Sequence, residues 1–470
     1  LFAVQYRGTA TIGRFFGPVM LLWFVIIGVM GIAGVARHPA VFAAINPFYG
    51  LSYLVSHGAT GFLVLGAVFL CVTGAEALYA DMGHFGARPI KLAWFTVVFP
   101  SLILNYEGQA ALVLDGAPTD GNIFYRLCPD ALLLPMVGLA TLATIIASQA
   151  VITGAFSLTR QAIQLGWMPR LWIKQTSSEG YGQIYVGTVN WLLMIVVLGL
   201  TIEFGKSDRL ASAYGIAVSL TMLMTSALLF IAMREIWRWS LLAAGAAALV
   251  FLTIDSAFFL ANLTKIADGG YVPLLLAVAV YGVMWIWHRG AAAVSARMHE
   301  ALIPVPQFMA NIAAKNIPRV PGTAVFFTRA ERDTPPVMHW HVKHNRALHE
   351  HLLVLRVEVL SVPWVSAANR LSVEQVVPNF WRLEARYGFM ERPHIPDLLA
   401  AGKECGCTVN LDDVTYYVGH ETVISREDGR GLPRWQEQIF AAMERNAVHV
   451  GDFFSLPQDC VVELGRQVTI

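Results

Sequence analysis

Five residues within nine positions carry the chemistry: Thr73, Gly74, Glu76, Tyr79 and Asp81. They lie in the stretch Gly66 to Gly86, GAVFLCVTGAEALYADMGHFG, inside a hydrophobic span. Carboxylates are expensive in hydrocarbon, so Glu76 and Asp81 are expected to face a bundle interior or a water-filled path. Gly74 costs a helix interior about 1 kcal/mol relative to Ala. A glycine among polar residues at membrane depth predicts a broken helix. The backbone carbonyls freed by such a break are tolerated only where they line a cavity. Carbonyls, the Thr73 hydroxyl and a nearby carboxylate together suit a dehydrated monovalent cation. A continuous helix, with a small residue for close packing and a hydrogen-bonded carboxylate, is the competing arrangement. On a regular helix Thr73, Glu76 and Ala80 share a face. A glutamate there can carry a proton as well as neutralise a cation. Asp81 precedes the turn Gly83-His84-Phe85-Gly86 and either caps it or lies on the ion path.

The elements that must position these residues are membrane spans. The chain has 470 residues, 56% hydrophobic and 14% charged, against about 25% charged in soluble domains. Runs of about 20 apolar residues predict eight spans: 15–35, 61–82, 92–114, 131–156, 185–202, 210–233, 241–263 and 271–287. Basic residues such as Arg88, Lys91, Arg160, Arg170, Arg234, Arg238 and Arg289 outnumber those of the other side, Arg37, Arg126, Lys206, Arg209 and Lys265. The first group is therefore expected to be cytoplasmic, and with it everything after Trp287. A net charge of +1 gives no reason to expect nucleic-acid binding. The five cysteines, Cys71, Cys128, Cys405, Cys407 and Cys460, form no disulfide framework and no zinc spacing. No cofactor is expected. No phosphate loop, nucleophile elbow or HExxH is present, so nothing supports an enzyme.

The transport domain is expected over 1–290, a Pro-punctuated linker over 291–321, and a soluble cytoplasmic α+β domain over 322–470. Strand-like runs occupy 323–328 and 352–360, with a further alternating run over 370–387. Helical patterns fall at 343–351 and 432–445. The run from His339 to His351 matches no zinc signature and reads as a surface helix with several histidines.

Secondary candidates follow in the spans. Thr141, Thr144 and Ser148 stripe one helix face beside Gln149, Thr153 and Ser157. Such hydroxyls suit hard cations, but they also bond backbone and neighbouring helices. Tyr214, ahead of Gly215, is either a wall of the site or a packing tyrosine. The roles of Asn105, Tyr106 and the intramembrane Glu107 stay open. Asp255 is expected to make a structural hydrogen bond.

Residues 73–86, Ile90 to Ser101, Asn105-Tyr106, Ala147 to Ala162, Ala213 to Val218, Val320 to Val325 and Lys343-His-Asn resemble the bacterial Kup-type potassium uptake transporters of the KUP/HAK/KT family. The resemblance covers the whole chain. It implies an all-α polytopic fold of the amino-acid–polyamine–cation superfamily, twelve spans with inverted five-helix repeats. The eight spans here would match the fifth to the twelfth. Leu1 to Arg7 reads as the tail of an earlier span, so four spans are expected upstream, and these residues alone are not expected to close a K⁺ shell. The resemblance further implies K⁺ uptake of low-affinity type, generally with H⁺, across the bacterial inner membrane. It places Thr73 and Glu76 on the ion path, Tyr214 on the tenth span, and Ser148 and Thr153 on the eighth. Glu107 departs from the family pattern, in which an apolar residue follows Asn-Tyr. A homodimer through the cytoplasmic domain is a further expectation. Two alternatives stand beside this reading. One is a carrier for an amino acid or amine. The other is a membrane protein whose tail is a regulatory or partner-binding module without transport.

Overall fold

The structure is a computed structural model. It describes residues 1–7, 10–74, 78, 86–176, 184–299, 303–328, 330, 332–360, 362, 364–388, 391, 393–402, 413–424, 432–448, 451 and 454–469. Two compact units emerge, one of residues 1–157 and 173–279, the other of 158–172 and 280–470.

Among the described residues eight helices are long and apolar enough to cross a membrane. They are α1 (Ala10–Arg37), α2 (Pro47–Cys71), α3 (Ala87–Leu114), α4 (Leu133–Gln164), α5 (Gly187–Phe204), α6 (Ser207–Glu235), α7 (Leu241–Leu263) and α8 (Tyr271–His299). A short antiparallel pair, β1 (Ile173–Gln175) and β2 (Ile184–Val186), precedes α5. Outward-facing apolar side chains such as Val55, 84% exposed, and Leu242, 86% exposed, suit lipid and not water. The second predicted span is shifted: α2 begins at Pro47, bends at Gly58 (φ 51°, ψ −121°) and stops at Cys71 instead of continuing to residue 82.

Lipid tails give helices no hydrophobic reason to associate, so small residues and polar contacts must hold them together. In α1, Gly28, Gly31 and Gly34 recur every three residues and face α3. A methyl on Gly31 would lie 2.2 Å from the Leu104 carbonyl oxygen, and one on Gly34 2.8 Å from Gly108 Cα. At this crossing Asn105 Nδ2 donates to the Ile27 carbonyl at 3.0 Å, and Gln109 Nε2 donates to Asn105 Oδ1 at 2.7 Å. Between α6 and α7, Ser226 Oγ donates to the buried Asp255 carboxylate, the structural bond expected there.

The second unit holds a six-stranded sheet built from β3 (Arg319–Thr328), β4 (Leu348–Leu360), β5 (Leu371–Val377), β6 (Phe380–Gly388), β7 (Val414–Ile424) and β8 (Val461–Thr469), in the order β5-β6-β4-β3-β7-β8. Only β5 and β6 pair antiparallel; the other neighbours are parallel. Helices cover both faces. On one face α9 (Val305–Ala314) and α10 (Pro336–Asn345) pack through Val305, Phe308, Ile312 and Met338. On the other, α11 (Ile395–Gly402) packs through Ile395, Leu398 and Leu399. A mixed, mostly parallel sheet covered on both faces is a layered α/β arrangement, where the sequence pattern led to α+β. Residues 348–351 belong to β4 and not to a helix, because Leu348 to Leu360 pairs with β3 and β6 and buries Leu348 and Leu352–Leu355 in the sheet. The predicted helix at 432–445 is α12 (Arg434–Arg445).

The ends of α4 and α8 belong to this second unit. Gln164 Nε2 donates to the Glu391 carbonyl at 2.6 Å, and the Val448 amide to the Arg170 carbonyl at 2.7 Å. Trp167 stacks on His288 at 4.2 Å, and Gly290 leaves no room for a Cβ beside Phe440. Glu391 itself accepts from the amides of Gly388 and Val365 and from Arg370.

The histidine run is not a surface helix throughout. His341 is 5% exposed and lies edge-on to Tyr417, 4.5 Å between centroids, with Asn345 Nδ2 2.9 Å from its Nδ1. Burial and the neighbouring His349 hold its pKa below the usual histidine value. Burial also lowers His349, against a smaller opposing pull from Asp413. Both therefore fold neutral. As pH falls below the ordinary value of 6.5 toward their lowered values, the unfolded chain takes up protons that the folded unit refuses, and stability is lost. Protection factors of β4 and α10 amides in the intact protein, hydrogen-exchange rates corrected for the intrinsic pH dependence, are expected to fall as pH drops from about 7.5 to 5.5. The limiting slope is about 1.4 kcal/mol per pH unit per histidine. His341→Gln is expected to flatten it.

Candidate functional site

Helix α2 ends inside the apolar zone. The Val72 amide turns back to the Phe69 carbonyl at 3.1 Å, and Val72 leaves helical geometry at φ −115°, ψ 19°. Thr73 and Gly74 follow in no regular structure, with Gly74 at φ +113°. That backbone region favours glycine, and a Cβ there would meet nothing within 4 Å. Gly74 is thus required for the direction of the chain and not for room. The Leu78 amide then donates to the Gly74 carbonyl at 3.2 Å. Glu76, Tyr79 and Asp81 lie outside the described residues.

A carbonyl released within hydrocarbon needs a donor. Tyr106, from α3, supplies one: its hydroxyl donates to the Cys71 carbonyl at 2.8 Å. Thr73 Oγ1 donates to the Leu70 carbonyl at 2.9 Å. The hydroxyl hydrogen is thereby committed, which leaves the oxygen lone pairs as the available face. The site thus gathers Thr73, Gly74 and Tyr106. The Asn-Tyr pair in the middle of a span was the available signal for Tyr106, but sequence spacing could not show that it reaches a second helix.

The remaining predicted residues lie apart from these contacts. Thr141 and Thr144 donate to the carbonyls of Val137 and Ala140, four residues back on α4. Thr153 does the same to Gln149, whose amide pairs with Gln5. Ser148 is half-buried on the same helix. Tyr214 is 37% exposed near the start of α6. Glu107 presents a buried carboxylate oxygen, Oε2, with no hydrogen-bond partner among the described residues.

Residues 1–292 match the family model described as the K⁺ potassium transporter integral membrane domain, and residues 321–470 match the K⁺ potassium transporter C-terminal domain. The chain belongs to this transporter family. It is 81% identical over 470 residues to a protein named "Probable potassium transport system protein Kup 1" from Bradyrhizobium sp. (strain ORS 278), covering all of this chain and 75% of that relative. A "Probable potassium transport system protein Kup 3" of Legionella pneumophila (strain Lens) is 54% identical, again across all of this chain and 75% of the relative. A Kup 1 protein of Geobacter sulfurreducens is 48% identical, with 74% of its length covered. Kup proteins are membrane transporters and not enzymes, which fits the absence of catalytic motifs.

The Tyr106 hydroxyl generates a direct test. Tyr106→Phe keeps the ring and removes the donor, so the Cys71 carbonyl loses its partner. A hydrogen bond of this kind is worth about 1 kcal/mol, or roughly a five-fold change in an equilibrium constant. Rubidium uptake by the variant is expected to show a KM raised by about that factor at unchanged protein abundance.

Proposed function

We propose that this protein takes up K⁺ across the bacterial inner membrane by K⁺/H⁺ symport of low-affinity type. The observation that carries this reading is the interruption of α2 at Val72–Gly74 within an apolar span. Backbone carbonyls there replace hydration oxygens, and selectivity comes from matching their number and field to K⁺. Thr73 and the carbonyls around Gly74 ligate the ion. Glu76 supplies countercharge and carries the coupled proton. Tyr79 and Asp81 continue the path toward the cytoplasm. Ser148, Thr153 and Tyr214 contribute to its walls as the bundle rocks around the break between 73 and 77.

The names of the Kup relatives support K⁺ as the cargo. The basic loops support a cytoplasmic second unit, through which two copies pair. An amino-acid carrier is the less economical reading, because the described break offers hydroxyl and carbonyl oxygens and the names of the relatives point to potassium.

Rubidium uptake into cells lacking their own K⁺ import systems tests the proposal. Expression of these residues within a full-length Kup protein is expected to restore uptake, and a protonophore to abolish it. Glu76→Gln is expected to lower uptake at least ten-fold and remove its dependence on external pH. Uptake that survives the protonophore at constant membrane potential would sink the proton-coupled part. Labelled amino acid entering in place of rubidium would sink the whole.

A further inference from the structure

Helix α8 outlasts its apolar run. The run ends at Trp287, and the helix continues to His299. Just past that end α8 is covered by α12, which packs on Ile286, Gly290 and Val294 through Phe440. A methyl on Gly290 would lie 2.2 Å from Phe440 Cδ2, and the Phe440 ring stands 5.1 Å from that of Trp287. Gly290 is three residues beyond Trp287, about 5 Å along the axis. Helix α12 is therefore fixed within one turn of the point where α8 leaves hydrocarbon. Other side chains mark the same level. Arg289 lies over the Trp285 ring at 5.0 Å, and Trp167 stacks on His288. Aromatic rings and basic groups collect in this way at a membrane–water interface.

A second face of α12 is open. Trp435, 56% exposed, Ile439, 39% exposed, and Ala442 fall at i, i+4 and i+7, one stripe of a regular helix. The charges of the helix are sorted by sign. Glu437 is buried and Glu444 half-buried. Arg434 and Arg445 are exposed, one near each end of the stripe, and neither has an ion-pair partner among the described residues. An apolar stripe bearing tryptophan, with only cations on its open side, suits the boundary between headgroups and acyl chains. Water would leave the stripe unburied and the arginines without an anion.

We propose that α12 is a membrane-surface helix. Its Trp435–Ile439–Ala442 stripe enters the headgroup layer of the leaflet that α8 leaves, and Arg434 and Arg445 bind the phosphates of anionic lipids. Continuity identifies the occupant: α12 is held on a spanning helix at its exit from the bilayer, beside the exposed Tyr281 and Trp285 of that helix. Guanidinium groups pair with phosphate through two parallel hydrogen bonds, which gives the contact its preference for charged headgroups. The second unit thereby gains a hold on the bilayer besides the α8 chain itself, and that hold tightens as the anionic lipid fraction rises. Nothing in this depends on which ion is carried.

The test places these residues within a full-length Kup protein in lipid nanodiscs and reads Trp435 as the difference between that protein and its Trp435→Phe variant. The probe is phosphatidylcholine brominated near the headgroup end of its acyl chains, with and without phosphatidylglycerol. Trp435 emission is expected to fall about two-fold when the lipid is brominated, to resist aqueous acrylamide, and to be quenched further when phosphatidylglycerol is present. Arg434→Gln/Arg445→Gln should lose that further quenching. Both substitutions and Trp435→Phe fall at exposed positions, so the fold is kept. Quenching by acrylamide and not by bromine would overturn the proposal, because the stripe would then lie in water. Shielding from both would overturn it too, since a second copy or another protein would then cover the stripe. Bromine quenching indifferent to phosphatidylglycerol would overturn the role given to the two arginines.

Discussion

Every carbonyl in hydrocarbon needs a donor or a cation, and the end of α2 is where that requirement becomes acute. A continuous helix meets it internally. A helix that stops at Cys71 cannot, and Tyr106, Thr73 and the Leu78 amide take up three of the consequences. Among the described contacts, the one that comes from another helix is the hydroxyl that Tyr106 delivers to the Cys71 carbonyl. The local chain and the tertiary fold are therefore one problem at this position.

What delivers that hydroxyl is the α1–α3 crossing. Gly31 and Gly108 let the two backbones approach until side chains are excluded from the contact. Asn105 then reaches the Ile27 carbonyl and is held from the other side by Gln109. Tyr106 is the next residue, so its reach to Cys71 inherits the rigidity of that crossing. Three glycines at three-residue spacing in α1 thus govern an oxygen on α2, which α1 need not touch. Lys265, just after α7, works on α2 by the same logic with a charge in place of a hydroxyl, its Nζ donating to the Gly66 carbonyl at 3.1 Å.

Much of this was legible in the sequence and some was not. Apolar runs located the eight spans, since hydropathy reports directly on what lipid demands. Thr73-Gly74 located the end of α2, since glycine amid polar residues has few other uses in a span. The start of α2 was misplaced because the Gly58 bend interrupts no apolar run. The six-stranded sheet of the second unit was seen as strands but not as parallel, because pairing direction depends on crossovers that periodicity does not encode. His341 was misassigned to a surface helix for a related reason: a histidine-rich segment looks solvated until Tyr417 is seen lying against it. Asn262 carried no signal of its own, and Lys265 was read only as a loop charge. Their contacts are with Gly66 and Gly215, two small residues on two other helices.

The hydroxyl stripe on α4 shows why residue type alone misleads. Thr141, Thr144 and Thr153 each spend their hydrogen on a carbonyl four residues back, as do Thr221 and Thr225 on α6. Counted as hydrogen bonds, they look satisfied and structural. Yet a hydroxyl whose hydrogen is pinned to its own helix can offer only lone pairs to anything that approaches. Back-bonding converts an ambivalent group into a fixed acceptor. A surface of fixed acceptors attracts a cation, repels an anion and gives an amine less geometric freedom than a bare spherical ion. Thr73 obeys the same rule at the break, where its hydrogen is committed to Leu70. On the proposed reading, the preference for an unhydrated monovalent cation is written less in which residues are present than in where their hydrogens have already gone.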